Sequence, residues 1–278
     1  MKDRTIGAVL INGTAVAPAD AAVSIFDVGF QRGYGCFEAM RTYDGCVFRL
    51  QQHLDRLEHS AGNLRIALLP REALEAWCVQ CGSGGDGVLR VYVTGGLDPQ
   101  RLGKDNLVIV YLEPVPDVPA SMRLDLIEAP WHADGRTSEL TGAKTLSYGP
   151  NLAATLGAKS RGFDDAVLIG QNDVVLEGPT FSLGWVSDGV MYTPSLDTHI
   201  LESITRQATL EIANRLGIPV EAGQYQSERL LEADEVFVMS TVKEVRPVTT
   251  VGQVSYAPGP VTLRLREGFA DLVTQECK

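Results

Sequence analysis

The chain has 278 residues, 45% hydrophobic and 21% charged, with 35 acidic against 24 basic side chains and a formal net charge of −11. That balance describes a folded globular protein and excludes global disorder. It disfavours nucleic acid and anionic lipid as partners, because both are gripped by clustered Lys and Arg and no basic run occurs.

In chain order, residues 1–5 are charged and lead into an apolar run at 8–11 and an Asn12-Gly13 turn, with no apolar signal region, which reads as a cytoplasmic protein. No apolar stretch approaches the ~20 residues that a bilayer span needs. Residues 24–50 alternate short apolar runs with glycines and include Asp44-Gly45, a two-residue hairpin signal, so strands and tight turns are expected. Leu54, Leu57, Ala61 and Leu64 then recur at spacings of three and four, predicting a helix over 51–64. A second helix should follow Pro70 with Leu74, Trp77 and Cys78 on one face, and 88–94 and 107–113 read as neighbouring strands.

Residues 114–119 hold three prolines, which donate no ladder hydrogen bonds and stiffen an extended path. They mark the expected boundary between a first domain at 1–116, a linker at 117–121 and a larger second domain at 122–278. Beyond it the pattern predicts a strand at 122–129, a helix at 151–161 and two hairpins at 166–176 and 184–192. A helix should also start at Ile204, capped by Ser203 and striped by Ala208, Ile212 and Leu216.

Five cysteines, Cys36, Cys46, Cys78, Cys81 and Cys277, are too few and odd in number for a secreted disulfide framework. Cys78 and Cys81 have C-x-x-C spacing, but no second pair completes a zinc site, and they read as two thiols one helical turn apart. His53 and His59 lie in a charged helical stretch without an H-E-x-x-H pattern and are assigned to surface or packing. Residues 82–87 spell G-x-G-x-x-G, yet a helix precedes them and a strand follows, the reverse of what a dinucleotide site requires. They read as a loop.

Four features carry chemistry. Lys144 sits in the weakly polar segment 142–148, where desolvation favours an amine that forms imines. Glu177 ends the apolar run Val174-Val175-Leu176, a costly place for a carboxylate unless it meets a cation. The first turn of the helix at Ile204-Thr205 offers backbone N–H groups and a hydroxyl to an anion, and a strand ends in the hydroxyl pair Ser240-Thr241.

In this order and spacing, with the motifs at 30–38, 48–57 and 233–237, the chain resembles the class IV aminotransferases, the fold type IV pyridoxal-phosphate enzymes. The resemblance spans nearly the whole chain. It implies a two-domain α+β fold like that of D-amino-acid aminotransferases, with pyridoxal 5′-phosphate in the interdomain cleft. It further implies that Lys144 bonds the cofactor's aldehyde and shuttles the substrate proton, and that Glu177 faces the pyridine nitrogen. Arg49, Ile204, Thr205 and Thr241, with Ser240 beside them, match the phosphate cup; Tyr148 and Leu201 match residues beside the ring. Family members are usually homodimers, and Arg32 or Tyr34 would then act across the interface.

Ser182 replaces the family's usual asparagine, Ser203 its glycine before Ile-Thr-Arg, and Gly95 the carboxylate-binding arginine of the D-amino-acid enzymes, while Tyr92 falls where branched-chain enzymes place theirs. Candidate substrate contacts are therefore Phe37, Arg90, Arg32 and Arg136, with Arg41 a further arginine. Each arginine is able to form the bidentate pair that a carboxylate favours or, for Arg32 and Arg41, a structural ion pair. The resemblance implies transfer of an amino group between an amino acid, first a D-amino acid, and a 2-oxo acid. The alternatives are an aminodeoxychorismate lyase that eliminates pyruvate, and a branched-chain or R-amine transaminase.

Overall fold

A computed structural model of the protein describes residues 4–132 and 137–277. Arg136 lies outside them. Contacts divide the chain into two compact units, one of 1–117, 139–148 and 273–278, the other of 118–138 and 149–272. The main cut falls within the proline-rich segment. Residues 139–148, which include Lys144, and the last residues of the chain nevertheless belong to the first unit, where a single cut assigns them to the second. Proline spacing reports only where the main chain cannot pair, whereas membership is decided by later pairing.

The first unit contains β1 (Ile6–Ile11), β2 (Thr14–Val16), α1 (Val28–Arg32), β3 (Gly35–Tyr43), β4 (Cys46–Val47), α2 (Leu50–Asn63), α3 (Arg71–Gly82), β5 (Gly87–Thr94) and β6 (Val108–Glu113). Its strands form an antiparallel sheet in the order β2-β1-β6-β5-β3-β4. Alternation sends Cys36 and Met40 of β3 and Leu89, Val91 and Val93 of β5 into one core with Leu54, Leu57 and Ala61 of α2 and Leu74 and Cys78 of α3. The opposite face carries half-buried Phe37, Tyr92 and Tyr111, stacked in a row at centroid separations of 5.7 and 6.1 Å.

Helices α2 and α3 occupy their predicted stretches, residues 82–87 form a turn into β5, and Asp44-Gly45 closes the β3–β4 hairpin with φ of 49° and 85°. Helix α1 replaces part of the strand-and-turn region. Asp27 makes it possible: its carboxylate accepts the Gly29 amide and the Thr94 hydroxyl, each at 2.7 Å, while Gly33 takes the left-handed C-terminal position.

The second unit contains β7 (Met122–Glu128), α4 (Gly149–Ser160), β8 (Asp165–Ile169), β9 (Ser182–Ser187), β10 (Val190–Pro194), α5 (Ile204–Arg215), β11 (Val220–Gly223), α6 (Ser227–Leu231), β12 (Glu235–Ser240), β13 (Glu244–Val251), β14 (Val254–Ser255) and α7 (Pro260–Glu276), whose end joins the first unit. Its mixed sheet runs β11-β10-β9-β12-β13-β7-β8, with β14 on β13. The β9–β10 hairpin and the Ser203 cap of α5 match expectation, Ser203 Oγ accepting the Arg206 amide at 3.2 Å. The other expected hairpin also forms: Gly170 N donates to Val174 O at 2.8 Å, Leu176 N to Leu168 O at 3.0 Å and Leu168 N to Glu177 O at 2.8 Å, around a tight turn in which Asn172 and Asp173 adopt positive φ.

Leu57 is fully buried between α2 and the first sheet. Leu57→Ala should cost about 2–5 kcal/mol of unfolding free energy in denaturant titration, while the same change at exposed Leu156 should cost less than about 1.

Candidate active site

Lys144 is placed by its backbone. The segment 144–146 lies beside the start of β3: Phe37 N donates to Lys144 O at 3.0 Å, Leu146 N donates to Gly35 O at 2.9 Å, and Thr145 bridges Cys36. Gly35 permits this approach, since a Cβ there would stand 2.4 Å from Val93 O and 2.6 Å from the Leu146 side chain. From the other side Ser60 Oγ accepts the Lys144 amide at 3.0 Å and donates to Arg56 O at 2.8 Å. The side chain of Lys144 then reaches the Phe37 ring, 4.3 Å from its centroid, and Nζ donates to the Tyr148 hydroxyl at 3.3 Å. Phe37 and Tyr148 meet edge to face at 5.3 Å.

Beneath this segment lies a buried charge cluster that the sequence reading missed. Glu38, on the inward face of β3, accepts Arg56 Nε and Nη2 at 2.7 Å each and faces His53 Nδ1 at 2.8 Å. Burial alone would push the Glu38 carboxyl up, but Arg56 and His53 outweigh it and hold the pKa well below the usual carboxylate range. His53 is pushed down, by burial first and by the Arg56 and Lys144 charges, against the pull of Glu38. The available signal was periodicity: His53 and Ser60 fall on the apolar stripe of α2, and Glu38 alternates with Cys36 and Met40.

The second unit contains a fixed carboxylate and a helix start with neighbouring hydroxyl residues. Leu201 N donates to Glu177 Oε1 at 3.1 Å and Leu168 N donates to the Glu177 carbonyl at 2.8 Å, fixing both ends of that residue. A tight turn follows, in which Gly178 packs so closely on Phe181 that a Cβ would stand 2.1 Å from its ring. Arg206 is buried, donates to Thr193 Oγ1 at 3.1 Å and Pro194 O at 2.9 Å, and feels the charges of Glu202 and Glu177; burial pushes its pKa down. The first turn of α5 presents the amides of Ile204 and Thr205, the latter with a buried hydroxyl, and Ser240 Oγ accepts the Lys243 amide at 3.1 Å at the end of β12, beside Thr241. Ser182, on β9, has a buried Oγ without a hydrogen-bond partner.

The remaining arginines are placed as follows. Arg49 is buried and bonds Glu276; Arg90 gives Nε and Nη2 to Glu113 Oε1 at 2.7 and 2.6 Å; Arg41 donates to Gly87 O; Arg32 is exposed in the last turn of α1. Tyr34 donates its hydroxyl to Leu64 O at 2.6 Å within its own chain. Cys78 and Cys81 are free thiols pushed up by burial to about 12 and about 11, as a packing role requires. Cys46 and Cys277 form a disulfide 231 residues apart, which the odd cysteine count gave no reason to expect. No cluster of metal-ligating side chains occurs, and no helix is long and apolar enough to cross a membrane, among the described residues.

The amino-transferase class IV family matches residues 35–251. The chain belongs to the class IV aminotransferases, a family of pyridoxal-phosphate enzymes. It is 32% identical to a putative branched-chain-amino-acid aminotransferase of Methanocaldococcus jannaschii, covering 96% of each chain. It is 31% identical to a D-alanine aminotransferase of Listeria monocytogenes, covering 97% of each. Among solved structures it is similar to the branched-chain aminotransferase of the thermophilic archaeon Thermoproteus uzoniensis with norvaline, at TM-score 0.86 and 26% identity over 97% of this chain and 95% of that one. Each unit by itself holds groups of the kind that such a cofactor takes: an amine and a guanidinium in the first, and a carboxylate, helix-start amides and hydroxyls in the second.

The buried cluster makes stability acid-sensitive. Glu38 and His53 both have folded pKa values below their unfolded ones, so the unfolded chain binds more protons and stability falls as pH drops, through about 6.5 for His53 and then about 4 for Glu38. Chemical denaturation across pH 4–8 should show this decline. His53→Gln should flatten its upper part, and Glu38→Gln should cost about 3–5 kcal/mol at neutral pH by leaving Arg56 buried without its carboxylate.

Proposed function

We propose that this enzyme moves an amino group from a D-amino acid to a 2-oxo acid, with Lys144 as its catalytic base. The observation that carries the reading is the Lys144 amine, fixed from its backbone and held against Phe37 and the Tyr148 hydroxyl. Bound pyridoxal phosphate supplies an aldehyde to capture the amine and a ring to take up the electron pair left when the α-proton departs. Lys144 Nζ would hold the cofactor by its aldehyde and, once free, would accept and return the substrate's α-proton. Tyr148 orients the amine when it is free. Glu177, held by the Leu201 amide, would face the ring nitrogen and favour its protonated form. Ile204, Thr205, Ser240, Thr241 and Arg49 would hold the phosphate, with Leu201 beside the ring.

Arg32, exposed, and Arg90, which would exchange Glu113 for the incoming group, bind the substrate carboxylate. The likeness to a D-alanine aminotransferase supports D-amino acids. The row Phe37, Tyr92 and Tyr111 favours a second reading, a donor with a bulky apolar side chain such as a branched-chain amino acid. We also propose a homodimer, supported by the exposed Ile25, Phe26 and Phe30 at 66%, 66% and 70%.

The test is the cofactor's visible absorption band in purified protein after D-alanine, L-leucine and R-1-phenylethylamine are added separately. Bleaching by D-alanine with pyruvate as product supports the first reading. Bleaching by L-leucine alone transfers it to branched-chain donors, and indifference to all three with pyruvate released from aminodeoxychorismate makes the enzyme a lyase. Lys144→Ala should abolish bleaching by every donor, and Glu177→Gln should slow it by about 10²-fold or more while retaining the bound cofactor.

A further inference from the structure

The Cys46–Cys277 disulfide and the ion pair beside it form one device. Glu276 Oε2 accepts Arg49 Nε at 3.2 Å, and its Oε1 accepts Arg49 Nη2 at 3.1 Å. The Arg49 side chain is 4% exposed and that of Glu276 34%. Arg49 has little freedom of its own, since its backbone is left-handed at φ 53° and its guanidinium lies 5.5 Å from the centroid of the Phe48 ring. A carboxylate brought by the last turn of α7 therefore engages the arginine assigned above to phosphate.

Two anions on one guanidinium oppose each other, so whatever Glu276 gains at Arg49 a phosphate loses, and the coupling is reciprocal. An untethered carboxylate that is one-third exposed would hold weakly. The disulfide next to it in sequence changes that, because it keeps the carboxylate at high effective concentration on Arg49.

We propose that the Cys46–Cys277 disulfide is a redox brake on cofactor loading, holding Glu276 on Arg49 when oxidised and letting it leave when reduced. The proposal rests on the assignment of Arg49 to the phosphate. A dithiol reductant supplies two electrons and two protons; the S–S bond breaks, Cys46 and Cys277 become thiols, and the reductant closes into its own disulfide. A peroxide reverses this, taking the two thiol hydrogens as its O–O bond breaks to alcohol and water. The remaining cysteines stay out of the exchange, since Cys36 and Cys78 are buried and burial pushes the Cys81 thiol up to about 11, away from the reactive thiolate.

The test measures dissociation constants for pyridoxal phosphate, and for pyridoxal as a probe without phosphate, on cofactor-free full-length enzyme before and after dithiol treatment. Thiol titration in denaturant should give three groups before reduction and five after. Reduction should tighten pyridoxal phosphate by about fivefold or more and leave pyridoxal unchanged. Cys277→Ser, or Cys46→Ser should the first fold poorly, should reproduce the tightening without reductant, and Glu276→Gln should bind tightly in both redox states. Equal affinity in all forms, weaker binding on reduction, or five thiols in the untreated protein would overturn the brake while leaving the cofactor reading intact. Capture of neither probe by Lys144 would overturn both.

Discussion

Everything proposed for the catalytic amine depends on a main-chain interaction, the pairing of residues 144–146 with the start of β3. A lysine side chain has too many rotamers to be positioned by its own contacts alone, and ordering it costs entropy. Here the backbone is held from two directions, by Phe37 and Gly35 of the strand and by Ser60 of α2. The same strand carries Phe37 outward to the amine and Glu38 inward to the charge cluster, so alternation along β3 links the reactive group to the most polar part of the core.

The charge cluster is expensive as a source of stability. A buried carboxylate recovers its desolvation only with complete hydrogen bonding, and Glu38 has three close donor contacts from two residues. Its value lies in fixing α2 on the sheet in one register: an apolar core would tolerate sliding, whereas a fork of hydrogen bonds from Arg56 would not. Ser60, one turn beyond Arg56, is thereby set at the height at which it meets the Lys144 amide.

What the sequence made legible was local. The stripes of α2 and α5, the Ser203 cap and the Asp44-Gly45 and Asp188-Gly189 turns follow from neighbours within a few residues of one another. Lys144 and Glu177 were singled out only together with Ile204-Thr205-Arg206 and Ser240-Thr241, whose order carries the family resemblance. What was illegible was remote in sequence: Ser60 with Lys144, Arg49 with Glu276, and Cys46 with Cys277 are separated by 84, 227 and 231 residues. Helix α1 was missed although its caps, Asp27 on the Gly29 amide and left-handed Gly33, are local, because five residues are too few to show a helical period. The arginines considered for substrate show how little composition says about availability: Arg41 and Arg90 have structural partners, and nothing local in the sequence names them.

The return of residues 139–148 and 273–278 to the first unit has a consequence for how this chain could be divided or recombined. A fragment ending at the proline-rich segment would expose the edge of β3 that Thr145 covers and discard the disulfide partner of Cys46. The first unit is therefore not a transferable module. Gene fusion or domain exchange at the proline-rich boundary would have to carry the later segments along, so sequence exchange among relatives is constrained to preserve the chain as a whole.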